Sequence, residues 1–273
     1  MQLLGLPPEC SLAWIPCVLV SIYSGLIVLV SLLPAMPELT AAQTTVFGVL
    51  VLIAHGLILE VRIAGQCGVR MPFQLILRLG SAILACWILH IFLDGTGLLQ
   101  QKAVFLLDSQ PAPSLQDWAL QQVRLLLEIY IVICGVMLLQ KGLDTFRISD
   151  AVAAVLGPVL RLLGISRKAV SVVIIGFTMG LLYGSGVLIR EVEEGGFSGR
   201  DSFCAISLLG LSHSLIEDTL VLTLIGGSLW GLLGYRLLFT LAAAFLLNRF
   251  YPLLEPLAVS AAPSAASGRK ELP

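Results

Sequence analysis

Charge is what this sequence has least of. Asp, Glu, Lys and Arg make up 12% of its 273 residues, against 58% hydrophobic residues and a mean hydropathy of +0.97. A soluble domain carries roughly 25% charged residues, so an ordinary soluble domain is excluded. The net charge of −1 comes with no basic tail, which gives no reason to expect nucleic acid. No Lys or Arg precedes Arg62. The N-terminus therefore lacks the basic region of a signal peptide, and the first apolar run is expected to remain as a membrane helix. The six cysteines form no C-x-x-C pair and are read as small buried hydrophobes. Neither H-E-x-x-H nor G-x-x-x-x-G-K-[ST] occurs. A zinc protease and an attached GTPase are thus unsupported, and no enzyme and no resident cofactor are expected.

What is present is a series of apolar windows about twenty residues long, enough for a helix to cross a bilayer. The runs are continuous rather than alternating, which excludes a β-barrel. The chain reads as an all-α, polytopic membrane protein with about 7–8 membrane helices. Spans are predicted near 12–33, 44–63, 73–93, 118–140, 169–189, 203–227 and 228–247. The apolar part of 148–163 is short, contains Gly157-Pro158 and is flanked by charge, so an interfacial or partly inserted helix is expected there. The predicted organisation is a first helical unit (1–93), a polar loop (94–117), a second unit (118–250) and a disordered tail (251–273). Arg62, Arg70, Lys141 and Arg147 favour the cytoplasmic side.

The stretch from Phe203 to Gly227 interrupts its own hydrophobicity with Ser212, His213, Ser214, Glu217, Asp218 and Thr219. Ionisable groups in hydrocarbon cost roughly 2.5–3.5 kcal/mol each on insertion scales, so they must face protein, water or ligand. On one continuous helix His213 would lie over Glu217, and Ser214 over Asp218. Imidazole and carboxylate one turn apart suit a divalent metal or a proton, which makes His213 and Glu217 the candidate metal ligands. The same side chains could bind a polar organic solute, or simply lock helices together. Tyr183-Gly184-Ser185-Gly186 is a candidate helix break exposing backbone to a ligand, although glycines at this spacing also serve packing. Glu191, in the charged segment that follows, is a candidate gate residue.

Two stretches match one another. Leu-Leu-Gly at residue 3 and again at residue 162 each lead into a helix, then to Tyr23 and Tyr183. Further on, Ala54–Glu60 stands opposite Ser212–Asp218, with His55 and His213 158 residues apart. Two related three-helix repeats follow, near 3–93 and 162–247, and repeated halves in transporters place their sites at the repeat interface. Leu59 stands where the second copy has Glu217, and Glu60 is one step on. That step turns the carboxylate by about 100°, so the first copy is not expected to duplicate the whole site. If 148–163 stays at the surface the copies are parallel; if it crosses they are inverted.

Gly135–Ala169, with Gly157-Pro158, then Met179–Gly196 and Leu208–Thr219, resembles the Gate or nucleoside-recognition domain over roughly residues 125–230. That domain is shared by concentrative nucleoside transporters, the membrane part of ferrous-iron transport GTPases and spore-maturation membrane proteins. The resemblance implies a helical, transporter-like core, but not a particular solute. The expected function is a permease in a bacterial inner membrane. Its intramembrane site would be built from Tyr183, Gly184, Ser185, Gly186, Ser212, His213, Ser214, Glu217, Asp218 and Thr219, with His55, Glu60 and Glu191 as further candidates. Its expected partners are the lipid bilayer, a nucleoside-like solute or cation, a coupling cation or proton, and a second copy of the chain. The alternative is a non-transporting scaffold or assembly protein. In a transporter, Glu217→Gln should impair uptake more than folding.

Overall fold

The computed structural model describes residues 1–107, 113–145 and 148–259. Arg147 and most of the expected tail lie outside them. Among the described residues the fold is all-α, with two isolated β-bridges and no strand. Among the described residues four stretches are long and apolar enough to cross a membrane: Ala41–Gln66, Met71–Thr96, Leu115–Leu139 and Trp230–Arg249. Much of the remaining apolar sequence forms half-length helices, and this is where the sequence reading needs correction.

The predicted span 12–33 is two helices, α1 (Cys10–Leu19) and α2 (Ile22–Leu32), folded back on each other. Gly25 lies so close to Cys17 and Ala13 that a side chain there would collide with both. The span 169–189 is likewise a hairpin. Its helices α8 (Arg167–Met179) and α9 (Leu181–Glu193) meet at Gly180, whose φ of 91° and ψ of 168° only glycine adopts readily. A Cβ on Gly184 would sit 2.8 Å from the Gly176 Cα, so these glycines serve close approach between the two arms.

The spans after each hairpin are broken. Helix α3 (Ala41–Ile53) stops at Ala54-His55-Gly56 and resumes as α4 (Leu57–Gln66). Helix α10 (Gly199–Leu211) stops at Ser212 and resumes as α11 (Glu217–Thr223). Gly56 and Ser214, at the two breaks, have φ of 55° and 45°. Each unit closes with a long helix. The first is α5 (Met71–Thr96); the second is a π-helical turn at Trp230–Tyr235 running into α12 (Arg236–Arg249) and α13 (Tyr251–Ala258). Residues 251–258, expected within a disordered tail, are therefore helical. Between the units run α6 (Leu115–Thr145) and α7 (Ile148–Leu162).

The two units run in opposite directions. Thr45 Oγ1, near the start of α3, accepts a 2.8 Å hydrogen bond from Ser228 N–H, just before the π-helical turn that leads into α12, and Ala41 N–H donates to Gln101 O beyond the end of α5. Arg200, near the start of α10, instead donates to Asn248 Oδ1 at the far end of α12, while Arg70 N–H donates to Ala258 O. Hence α3 begins at one end of the molecule and α10 at the other. The expectation that a surface-lying 148–163 makes the copies parallel fails, because it counted each hairpin as a crossing. A hairpin returns to the side it left, so one crossing by α6 inverts the second unit. Both broken helices open with a side-chain capping box, Thr40 with Gln43 and Ser198 with Asp201.

Candidate functional site: a paired histidine centre

Breaking a helix in a low-dielectric interior frees backbone groups that must find partners. Here the hairpins and two arginines supply them. Gly56 N–H donates to Cys17 O (2.8 Å); Ser214 N–H donates to Gly176 O (3.2 Å) and Leu215 N–H to Phe177 O (2.8 Å). The freed carbonyls go to guanidinium groups. Arg78, on α5, donates Nε–H to Ile53 O at 2.9 Å. Arg236, on α12, donates to Ser212 Oγ at 3.1 Å and to His213 O. Both arginines are fully buried.

Each break presents one imidazole. The Nδ1 of His55 sits 2.9 Å from Val51 O and the Nδ1 of His213 sits 2.8 Å from Leu209 O, each the carbonyl four residues back. The two Nε2 atoms then face each other at 3.2 Å. Around them stand two carboxylates. Glu60 Oε1 is 3.4 Å from His55 Nε2 and 3.5 Å from His213 Nε2. Asp218 Oδ2 is 3.9 Å from the first and 4.0 Å from the second. Arg78 forms an ion pair with the other oxygen of Glu60.

The 158-residue separation between the histidines recurs throughout the centre. It relates Gly56 to Ser214, Glu60 to Asp218 and Arg78 to Arg236. It also relates the backbone bonds Glu60 N–H to Gly56 O (3.1 Å) and Asp218 N–H to Ser214 O (3.2 Å). The centre thus joins two equivalent half-sites.

This corrects the expected pairing. His213 does not lie over Glu217, because Ser212–Ile216 is not helical and the four-residue rule has no helix to act on. The nearby carboxylates are Asp218, five residues on, and Glu60 from the other unit. Glu217 turns toward the first hairpin, where Tyr23 O–H lies 3.5 Å from its Oε1. Glu60 does face the centre, since its counterpart is Asp218 rather than Glu217.

The other candidates scatter. Ser212 is buried as a partner of Arg236, and Thr219 is buried with a hydroxyl lacking a hydrogen-bond partner. Gly184 and Ser185 are buried inside the second hairpin, Gly186 is exposed, and the side chain of Tyr183 lies outside the described residues. Glu191 stands beside Gly196 at the hairpin's outer end, away from the centre. Sequence reasoning missed Arg78 and Arg236 as site residues. A charged residue inside an apolar span, repeated at the histidine spacing, was the signal for both.

Comparison with known proteins gives little beyond membrane character. A Bacillus subtilis (strain 168) protein described as uncharacterized membrane protein YvoD is 27% identical over 263 residues, covering 92% of this chain and 82% of that one. No family model matches the chain. No solved structure matches it either. What the apolar helices and this relative establish together is that the chain is an integral membrane protein.

Proposed function

We propose that this protein is a membrane carrier whose cargo is a cation bound at the paired histidine centre. One observation carries the reading: two oppositely oriented units, each a hairpin plus a broken helix, meet at a buried polar centre to which each contributes half. Alternating access works by rocking such halves about a site at their junction. Broken helices and charged groups at membrane depth are tolerated where they are buried in protein or line a pathway or cavity. The imidazoles stand 3.2 Å apart, so the geometry favours a cation over a nucleoside-like solute, which would need them spread.

The scaffold reading draws support from the Glu60–Arg78 pair, which neutralises charge in the way a sealed structural network would. Accessibility separates the two. In a cysteine-free background, Ser212→Cys would be probed with a membrane-impermeant maleimide in right-side-out and inside-out vesicles. A carrier is labelled from both sides, at rates that change with the conditions that move it. Protection from both sides, under all ionic conditions, would establish the scaffold.

A further inference from the structure

Neutral imidazole carries one N–H. A carbonyl oxygen can only accept, so contact with Val51 O and Leu209 O places that hydrogen on Nδ1 in both His55 and His213. Both Nε2 atoms then carry lone pairs, and the two atoms stand 3.2 Å apart. Two lone pairs held this close repel unless something electron-poor lies between or beside them. Anchoring the far nitrogen on a backbone carbonyl is also how proteins orient a metal-ligating histidine.

We propose that the centre coordinates a single transition-metal dication, a zinc-like ion, through His55 Nε2, His213 Nε2, Glu60 and Asp218. This rests on the reading of the centre as a cargo site and specifies the cargo. Tetrahedral bonds of about 2.0–2.1 Å set neighbouring ligand atoms roughly 3.3–3.4 Å apart. The distances of 3.2 Å between nitrogens and 3.4 and 3.5 Å to Glu60 are near that spacing. Asp218 stands half an ångström further out, and its carboxylate lies with both imidazoles inside a 4.8 Å cluster. Two imidazoles and two carboxylates suit zinc, iron or cobalt better than magnesium or calcium, which prefer oxygen throughout. Arg78 occupies one oxygen of Glu60 and leaves the other turned to the imidazoles, so it acts as a positioning residue.

The test is cobalt(II) titration of the purified full chain in detergent after chelator treatment. We expect one equivalent per chain, with the intense visible bands of four-coordinate cobalt. His55→Asn and His213→Asn should each weaken binding by more than the about 10- to 100-fold typical of an outer-shell partner, and Arg78→Gln should fall within that range. Glu217→Gln should leave binding unchanged. Should the histidine variants misfold, pulsed electron paramagnetic resonance of the copper(II)-loaded wild type decides, since two bound imidazoles give couplings to two remote nitrogens. The proposal is overturned by folded wild type that shows no saturable binding, by folded histidine variants that bind as wild type does, or by a copper spectrum without imidazole couplings. Absence of metal binding with two-sided maleimide labelling would sink the metal and leave the carrier. Metal binding with labelling from neither side would do the reverse.

Discussion

His55 and His213, two of only three histidines in the chain, meet Nε2 to Nε2 at 3.2 Å although 158 residues separate them. Nothing local brings them together. Each is delivered by a helix that stops for it, and the stop is stabilised by a hairpin on one side and an arginine on the other.

Arg78 should be costly to remove alone. It is fully buried and holds both Glu60 and Ile53 O. Breaking a buried ion pair from one side costs about 3–5 kcal/mol, because the remaining charge is stranded. Arg78→Met and Glu60→Gln should each destabilise on that scale, and the double variant by clearly less than the sum. Denaturation in detergent, followed by tryptophan fluorescence, reads all three. Additive losses would show that the two side chains do not interact.

Two of the positive-φ turns, Gly56 and Gly180, should resist alanine. Gly56→Ala places a Cβ at φ 55°, about 1–2 kcal/mol of strain, with Glu60 Oε1 3.0 Å away. Gly180→Ala should cost more, because its backbone lies in a region that essentially only glycine enters and its Cβ would stand 2.8 Å from Ser214 Oγ. Equal, negligible effects on thermal stability would mean that these turns relax freely.

Orientation should follow basic charge. The end of the molecule holding Arg70, Arg161, Arg167, Lys168, Arg200 and Arg249 should face the cytoplasm, and the end holding Lys102 and Glu38 should face outward. A single cysteine at Lys102 should react with impermeant maleimide in intact cells, whereas one at Arg249 should react only after lysis. The opposite pattern would invert the assignment.

Carboxylate roles should divide between neighbours in sequence. Glu217 faces Tyr23, so Glu217→Gln should lower transport by less than about threefold. Asp218→Asn, which leaves the volume but removes a charge from the centre, should lower it by at least roughly tenfold, or about 1.4 kcal/mol. Initial uptake rates of a divalent metal in liposomes, per folded molecule, measure both. A larger loss for Glu217 than for Asp218 would restore the face-sharing expected of an unbroken helix.

Composition and residue order alone reveal the solvent, the helical class, the polar stretch and the matched histidines. Each is written in composition or in order along the chain: low charge, continuous apolar runs, and one motif found twice. The sequence left unread that four of the seven expected spans are hairpins or breaks. Apolar residues at Val20 and Leu181 look the same inside a through-going helix as beside a turn, and periodicity carries no mark of where a chain reverses. The pairing of His213 with Asp218 and Glu60 rather than Glu217 is set in three dimensions. That choice depends on a lost turn of helix, whose freed backbone groups are satisfied by residues from α8 and α12.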